Sequence, residues 1–492
     1  MDSRAPDRQP WRETLLARSP GLRRHPRGRE LAEIAGAALE AVDPLACVHA
    51  HTHLLPKPKG AAAAVVGEYV FDLAADPQAP GPAEHGRIWI VGAGKAGAAM
   101  AGALVERFAP HVAGGVVITK HAGAADPALA PPELGPVEQL IGDHPIPGQA
   151  SARASAQLRA LAPRVGPRDL VLCPISGGAS ALLCDPLIPR EQLAALVEHL
   201  LARDVSIHAI NRLRRRLDRL KAGGLARLFA PATVVGLILS DVVGDDPALV
   251  GSGPTVYPDA GDQPQAFAEL LSTLAPALAE LPAALRRAIE DAPAPASAPV
   301  DPHTGLAQQV HQVLVARNGD AREAACRVAR ERGLDAVVLL PALDGQARAA
   351  GRRLGELLVD MPDDLPVRAP ACLVTGGETT VDLAHGQLGG PSQLGGRNQE
   401  LALAAAWPLA ELDDDQAALL TLATDGEDGP TDAAGAIITP STLARARAAG
   451  LDPERALREH DSHALFDTLG DLLRTGPTGT NVCDLALLLR SR

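Results

Sequence analysis

Aromatic side chains are nearly missing from this sequence, with five Phe, two Tyr and three Trp in 492 residues. Aliphatic side chains and Ala must therefore fill the core. Lysine is also scarce. Lys57, Lys59, Lys95, Lys120 and Lys221 are the only ones, and nearly every other basic residue is Arg. A lysine that persists inside a glycine-rich turn stands out against that background. The six cysteines (Cys47, Cys173, Cys184, Cys326, Cys372, Cys483) are scattered without a CxxC pair, which reads as reduced core thiols rather than metal ligands or disulfides. No uninterrupted apolar run reaches the ~20 residues of a membrane span. The N-terminal stretch MDSRAPDRQPWRETLLARSP lacks the apolar segment of a secretion signal, so a cytoplasmic protein with no membrane partner is expected. A net charge of −13 argues against a nucleic-acid binder, which needs a basic face to neutralise phosphates. It leaves room for a small anion held in a local positive pocket.

The rest of the composition, 46 % hydrophobic and 21 % charged, is that of a globular protein. The length suits two or three domains. Residues 29–42 carry apolar positions at helical spacing and end at Asp43-Pro44. Residues 56–85, rich in Pro, Ala and Gly, read as loop with one short strand. Apolar strands then alternate with helices: RIWIV (87–91), GGVVIT (114–119), DLVLCPI (169–175) and VVGLILS (234–240), with helices at 189–203 and 210–229. After a helical stretch and the Pro/Ala-rich DAPAPASAPVDPHTG, the pattern resumes with VLVAR, DAVVLL, ACLVTGGET (371–378) and LLTLATDGEDGPTD (419–432). The last segment, GPTGTNVCDLALLL, reads as a turn and a final strand or short helix. Such alternation predicts the α/β class, with largely parallel, Rossmann-like sheets covered on both faces. The expected division is an N-terminal Rossmann-like unit over 1–258, a linker or excursion over 259–303, and a C-terminal α/β unit over 304–492.

Chemistry concentrates where strands end. GAGKAG matches GxGxxG at Gly92, Gly94 and Gly97, and such glycines let backbone N–H groups approach a phosphate at a helix N-terminus. Lys95 adds a point charge suited to phosphate or carboxylate. The match is poor for a dinucleotide site, because the next strand ends in Thr119-Lys120 rather than in a ribose-reading acid. A tight turn with no ligand would look the same. Ser176-Gly177-Gly178-Ala179-Ser180 offers a second set of donors, or a serine-capped helix entry. Thr375-Gly376-Gly377-Glu378-Thr379 is a third such turn, with a carboxylate. Asp241 ends a strongly apolar strand, where α/β sheets bind ligands. Asp245 and Asp246 follow it, as Mg²⁺ ligands or as turn caps. Thr424-Asp425-Gly426-Glu427-Asp428-Gly429 repeats the theme, and Asp425 is expected to share with Asp241 a Mg²⁺ or the acceptor hydroxyl. Arg397 and Asn398 open a helix after a Gly-rich loop, and Arg is the natural bidentate partner of carboxylate or phosphate. His144, in GDHPIP, either lines a pocket or supports a loop. Positioning and charge neutralisation of this kind suit phosphoryl transfer. The residues alone support binding of phosphorylated small molecules.

Nine ordered segments carry a closer resemblance: VGAGKAGAAMA, GDHPIPGQAS, ISGGASALL, HAINRLRRRLDRLKAGGLA, LILSDVVGDDPALVGSGPT, LVTGGETTV, GGRNQELALA, ATDGEDGPTDAAGAI and GPTGTNV. From about residue 29 to 490 the sequence resembles the glycerate 2-kinases whose C-terminal part, here about 370–490, is called the MOFRL domain. That resemblance implies two α/β domains facing a cleft, ATP and Mg²⁺ as cosubstrates, and D-glycerate as acceptor. It places the catalytic lysine and arginine at Lys95 and Arg397. Ala179 stands where the family has a third glycine, and Arg215-Arg216-Leu217-Asp218 where it has Lys-His-Leu-Ser. A nicotinamide-dependent hydroxypyruvate reductase and a non-catalytic phosphosugar binder are the competing readings. A homodimer is compatible with all three.

Overall fold

The structure, a computed structural model, describes residues 10–491 apart from 59–60, 74–85, 121–133, 204, 258–263, 293–307, 363–364, 383–393 and 414–415. A small sheet comes first. β1 (Thr52–Pro56), β2 (Ala62–Val66) and β3 (Tyr69–Leu73) form an antiparallel meander. The expectation of one strand over 56–85 is corrected here. Alanine is a weak strand former and hid β2 (AAAVV), whose partners on both sides supply the pairing. The remainder of that stretch, 74–85, lies outside the described residues.

The first large sheet has the order β6-β5-β4-β7-β8-β9 and is parallel throughout. Its strands are β4 (Ile88–Ala93), β5 (Val112–Lys120), β6 (Val137–Gly142), β7 (Leu170–Ile175), β8 (Thr233–Leu239) and β9 (Val310–Ala316). β4 and β7 are buried at every position, as two-face coverage requires. β9 holds the VLVAR segment expected to open the second unit. It hydrogen-bonds to β8 instead, so the first sheet runs to Ala316, past the expected boundary at 304. Within 259–303, the helices Pro264–Leu278 and Ala283–Glu290 join Arg190–Leu201 and Ile207–Arg216 around an apolar cluster that includes Leu196, Leu213, Phe267 and Ile289. That part of the expected linker is a packed helical layer. Residues 293–307 lie outside the described residues.

The second large sheet has the order β10-β11-β15-β12-β13-β14: β10 (Asp335–Val338), β11 (Ala371–Gly377), β12 (Ala417–Ala423), β13 (Gly435–Ile438), β14 (Leu472–Leu473) and β15 (Asp484–Arg490). The α/β class holds; the first sheet is parallel throughout, whereas the largely parallel arrangement expected of the second gives way to a mixed sheet. Here β10–β11 is parallel and the other four pairings are antiparallel. The cause is β15, which returns from the far end of the chain and inserts between β11 and β12. The scarcity of aromatics finds its counterpart in helix packing. The helix Arg397–Leu409 (RNQELALAAAWPL) is buried on nearly every side, and the helix Ala347–Asp360 lies close against it. A Cβ on Gly351 would fall 2.1 Å from the Leu401 carbonyl oxygen, so contact at this distance depends on glycine.

The helix expected over 210–229 is broken. Ile207–Arg216 and Gly224–Leu228 are separated by a turn in which Ala222 and Gly223 adopt positive φ. A buried ion pair fixes that turn. Lys221 Nζ donates to Leu183 O (2.8 Å) and Asp218 Oδ2 (3.1 Å), and both side chains are at most 3 % exposed. Asp218→Ala is expected to lower unfolding free energy by about 3–5 kcal/mol in urea titration, because a buried ammonium loses its counter-ion. The double replacement Asp218→Leu with Lys221→Met should recover part of that loss.

Candidate active site

The site begins with two neighbouring strands. β4 and β7 end side by side, and their glycine turns are stitched together. Lys95 N donates to Gly177 O (2.8 Å), Ser176 N to Ala93 O (3.2 Å), and Ala96 N to the Ser176 hydroxyl (3.0 Å). A Cβ on Gly92 would lie 2.0 Å from Pro174 O, and one on Gly94 2.1 Å from Ser176 Oγ. These glycines therefore answer first to the neighbouring turn. Gly177 and Gly178 face the site. A Cβ on Gly177 would fall 2.1 Å from Asp241 Oδ2 and 2.4 Å from Asn481 Nδ2, and one on Gly178 3.0 Å from the His144 ring. The Ser180 hydroxyl is shared with Ser252 Oγ (2.9 Å). In the second sheet, Gly376 gives room to Asn318 and to the Asp484 carbonyl oxygen, and Gly377 to the Leu343 backbone.

The two sheets meet through charge. Lys95, after β4, places Nζ 2.6 Å from Asp425 Oδ2, after β12. Lys120, which ends β5, pairs with Glu427 (2.5 Å). Asp425 Oδ1 accepts the Glu427 backbone amide (3.0 Å). Asp241, after β8, lies within electrostatic reach of Lys95, Glu378 and Asp425, and Asn481 Nδ2 donates to its Oδ2 (3.3 Å). Burial and then the Glu378 carboxylate push the Asp241 carboxyl up to about 6, while Lys95 opposes the rise. His144 is held neutral. Burial and the flanking Lys95 and Lys120 ammonium groups bring it down to about 4. Strands of both sheets thus direct their C-terminal ends at one place, which is where α/β folds take ligands.

Arg397 is anchored by two carboxylates. Its Nε and Nη2 donate to Asp484 Oδ2 (2.6 Å) and Oδ1 (3.1 Å), and its Nη1 donates to Glu378 Oε1 (2.6 Å). Burial works against its charge, but Asp484 and then Glu378 outweigh that and raise its pKa further. Among the described residues three of its five N–H donors are used, which leaves two for a ligand. Asn398 occupies a different place from the one its position suggests. It is 3 % exposed, and both its backbone amide and its side chain donate to Asp428 Oδ1 (3.0 and 3.3 Å). Asp428 caps this helix through Asn398 and Gln399, so the helix N-terminus already holds a carboxylate. Asp245 lies near the Arg322 guanidinium and supports its charge. Among the described residues no group of three or more His, Cys, Asp or Glu could hold a metal ion, so Asp241, Asp245 and Asp425 do not form a protein cage.

Four contributors escape the sequence reading: Asn481, Asp484, Lys120 as a site residue, and Glu427. Asp484 did leave a signal, as a lone carboxylate opening an otherwise apolar strand (DLALLLR). Such a group needs a partner once buried.

Fold and site define an α/β protein, built on two large sheets, that gathers lysine, arginine and carboxylates where strands of both sheets end. Residues 30–290 match the family described as "Domain of unknown function (DUF4147)", and residues 371–484 match the MOFRL family. A D-glycerate 2-kinase of Thermotoga maritima is 35 % identical over 404 residues, 82 % of this chain and 90 % of the relative. A crystal structure of glycerate kinase from the same organism superposes with a TM-score of 0.74 at 32 % identity, covering 94 % of this chain and 99 % of that one. A protein of Agrobacterium vitis named as a hydroxypyruvate reductase is 38 % identical over 411 residues, 82 % of this chain and 87 % of the relative. The chain belongs to the glycerate kinase family with a C-terminal MOFRL domain.

Proposed function

We propose that the protein transfers the γ-phosphoryl group of ATP to the C2 hydroxyl of D-glycerate, giving 2-phosphoglycerate and ADP. The observation that carries this reading is the meeting of Lys95 and Asp425 at 2.6 Å, one from each sheet, beside Asp241. Lys95 is the cation for the transferring phosphoryl group, whose charge spreads over its oxygens. The two remaining Arg397 donors suit the acceptor carboxylate. Asp241 accepts the hydroxyl proton as the glycerate oxygen bonds to phosphorus and the bond to the ADP oxygen breaks. A base near its working pH is the efficient choice.

Mg²⁺ favours one or two carboxylates plus substrate phosphates, and Asp425 fits as its protein ligand. When bound, the ion would neutralise charge on the phosphate oxygens. The protein's own part is to hold Lys95 and Arg397 on opposite sides of the acceptor. Glycerate's primary hydroxyl is the less hindered one, so choosing C2 requires an anchored carboxylate, which a fixed guanidinium supplies. Use of ATP suits a cytoplasmic setting. Among the described residues no helix is long and apolar enough to cross a membrane.

The test is to supply ATP, Mg²⁺ and D-glycerate with enolase and no phosphoglycerate mutase. Direct formation of phosphoenolpyruvate is expected, whereas product that needs the mutase first would mean transfer to C3. The reductase reading rests on the name of the Agrobacterium relative. Against it, β5 ends in Lys120, paired to Glu427, where a ribose would need a carboxylate. NADH oxidation with hydroxypyruvate should be absent, and a non-catalytic binder would bind ATP without turnover. A pH series adds an independent check. Asp241 must be ionised to take a proton, so kcat/KM should climb with pH through about 6 and level off above it. Asp241→Asn should flatten that limb and lower kcat by about 10²–10⁴-fold.

A further inference from the structure

Asp241 is held by a segment of the other sheet. Residues 476–484 run into β15, and their polar side chains act as bolts. Thr478 Oγ1 donates to Thr424 O (2.6 Å), Thr424 Oγ1 donates to Cys483 O (2.6 Å), and Val482 N donates to Thr424 Oγ1 (2.8 Å). On the other side Thr480 Oγ1 donates to Val42 O (2.7 Å), at the end of the helix Gly28–Ala41. With both flanks fixed, the segment presents two donors to a single residue of the first sheet. Asn481 Nδ2 reaches Asp241 Oδ2 (3.3 Å), and Cys483 Sγ reaches Asp241 O (2.9 Å). Asn481 is 9 % exposed, so few alternative partners are open to it. Gly177 completes the fit, because any side chain there would intrude on both the Asp241 carboxylate and the Asn481 amide.

We infer that Asn481 is a positioning residue for phosphoryl transfer. Its amide holds one oxygen of the Asp241 carboxylate from across the two sheets, so that Oδ1 is aimed at the acceptor hydroxyl. Among the described residues Asn481 is the one side chain seen to hydrogen-bond the Asp241 carboxylate, and it does so at Oδ2. An amide is the suitable group here: it donates to a carboxylate without neutralising it, whereas a lysine would form an ion pair and lower the carboxylate's affinity for the incoming proton. The base is therefore aligned only when the two sheets are docked. This rests on the proposed role of Asp241 as base.

The test is a double-mutant cycle with Asn481→Ala, Asp241→Asn and both together, measuring kcat, the KM values for ATP and D-glycerate, and melting temperature. Asn481→Ala should lower kcat by about tenfold or more, with both KM values within about threefold of wild type. The double variant should be no worse than Asp241→Asn alone, because the amide then has no base to aim. The isosteric Asn481→Asp preserves volume but sets a carboxylate against Asp241, so it should be at least as slow as Asn481→Ala. It also serves as the second variant should alanine fail to fold. Gly177→Ala, which wedges the same contact from the first sheet, should reproduce the kcat loss. A merely structural strut would give wild-type kcat in Asn481→Asp, or a loss in Asn481→Ala that multiplies unchanged in the Asp241→Asn background. Either result overturns the inference while leaving Asp241 as base. Wild-type turnover in Asp241→Asn alone would instead remove the base assignment and this inference with it. A wild-type enzyme without turnover would sink the proposed function itself.

Discussion

Lys95→Ala should lower kcat by about 100-fold or more, the usual cost of losing a preorganised electrostatic contact to a developing negative charge. The fold should survive. The turn around residue 95 is held by the backbone, with Lys95 N on Gly177 O and Ala96 N on Ser176 Oγ, and neither bond involves the ammonium group. Asp425 keeps its bond from the Glu427 amide, so circular dichroism and melting temperature should change little. The pH profile carries a second signature. Lys95 is the cation that pulls the Asp241 pKa down against burial and Glu378. Without it the rise of kcat/KM should move above pH 6. Near wild-type turnover in Lys95→Ala would end the assignment of Lys95 to the phosphoryl group.

Arg397 should behave differently, because its removal strikes stability and chemistry together. Asp484 is 6 % exposed and takes two guanidinium bonds. Arg397→Ala strands that carboxylate in the interior, and a loss of about 3–5 kcal/mol in unfolding free energy is expected. Arg397→Lys is the sharper kinetic test. A single ammonium cannot serve both Asp484 oxygens and Glu378 and still offer donors to a ligand. A rise confined to the KM for glycerate would identify the acceptor carboxylate as the ligand. A fall in kcat would identify the phosphoryl group. Unchanged kinetics with lowered stability would leave Arg397 as a counter-ion for Asp484 alone.

These two residues were legible in the sequence because each sits at a junction with a local signature. Lys95 lies in a glycine turn between an apolar strand and a helix, in a chain with almost no lysine. Arg397 opens a helix after glycines. Asp241 and Asp425 could be found because carboxylates following buried strands have few structural excuses. A shared location for Asp241 and Asp425 was expected, but the ion pairs that assemble the site were not legible. Arg397 and Asp484 are 87 positions apart, and Lys95 and Asp425 are 330 apart, so no local pattern records either pairing. The same limit misplaced β9, whose apolar run says strand but not which sheet. It also gave both sheets a largely parallel arrangement, since nothing inside DLALLLR announces that it slots backwards between β11 and β12. Asn398 illustrates the opposite difficulty. A polar residue at a helix start invites a ligand, but Asp428 from a neighbouring loop already fills that position.

If Lys95 meets the transferring phosphoryl group as proposed, its ion pair with Asp425 would also set which anions can gain entry. An ammonium group that already has a carboxylate neighbour is a poor trap for stray inorganic phosphate or sulfate. A newcomer must trade one ion pair for another, and only the difference counts as affinity. A single small anion brings too little to make that exchange worthwhile. A nucleoside triphosphate brings a chain of oxygens and contacts to spread along it, so under the proposed function it would displace Asp425 from Lys95 and still come out ahead. Under the proposed function the resident carboxylate would act as a threshold that keeps simple anions off the cationic centre.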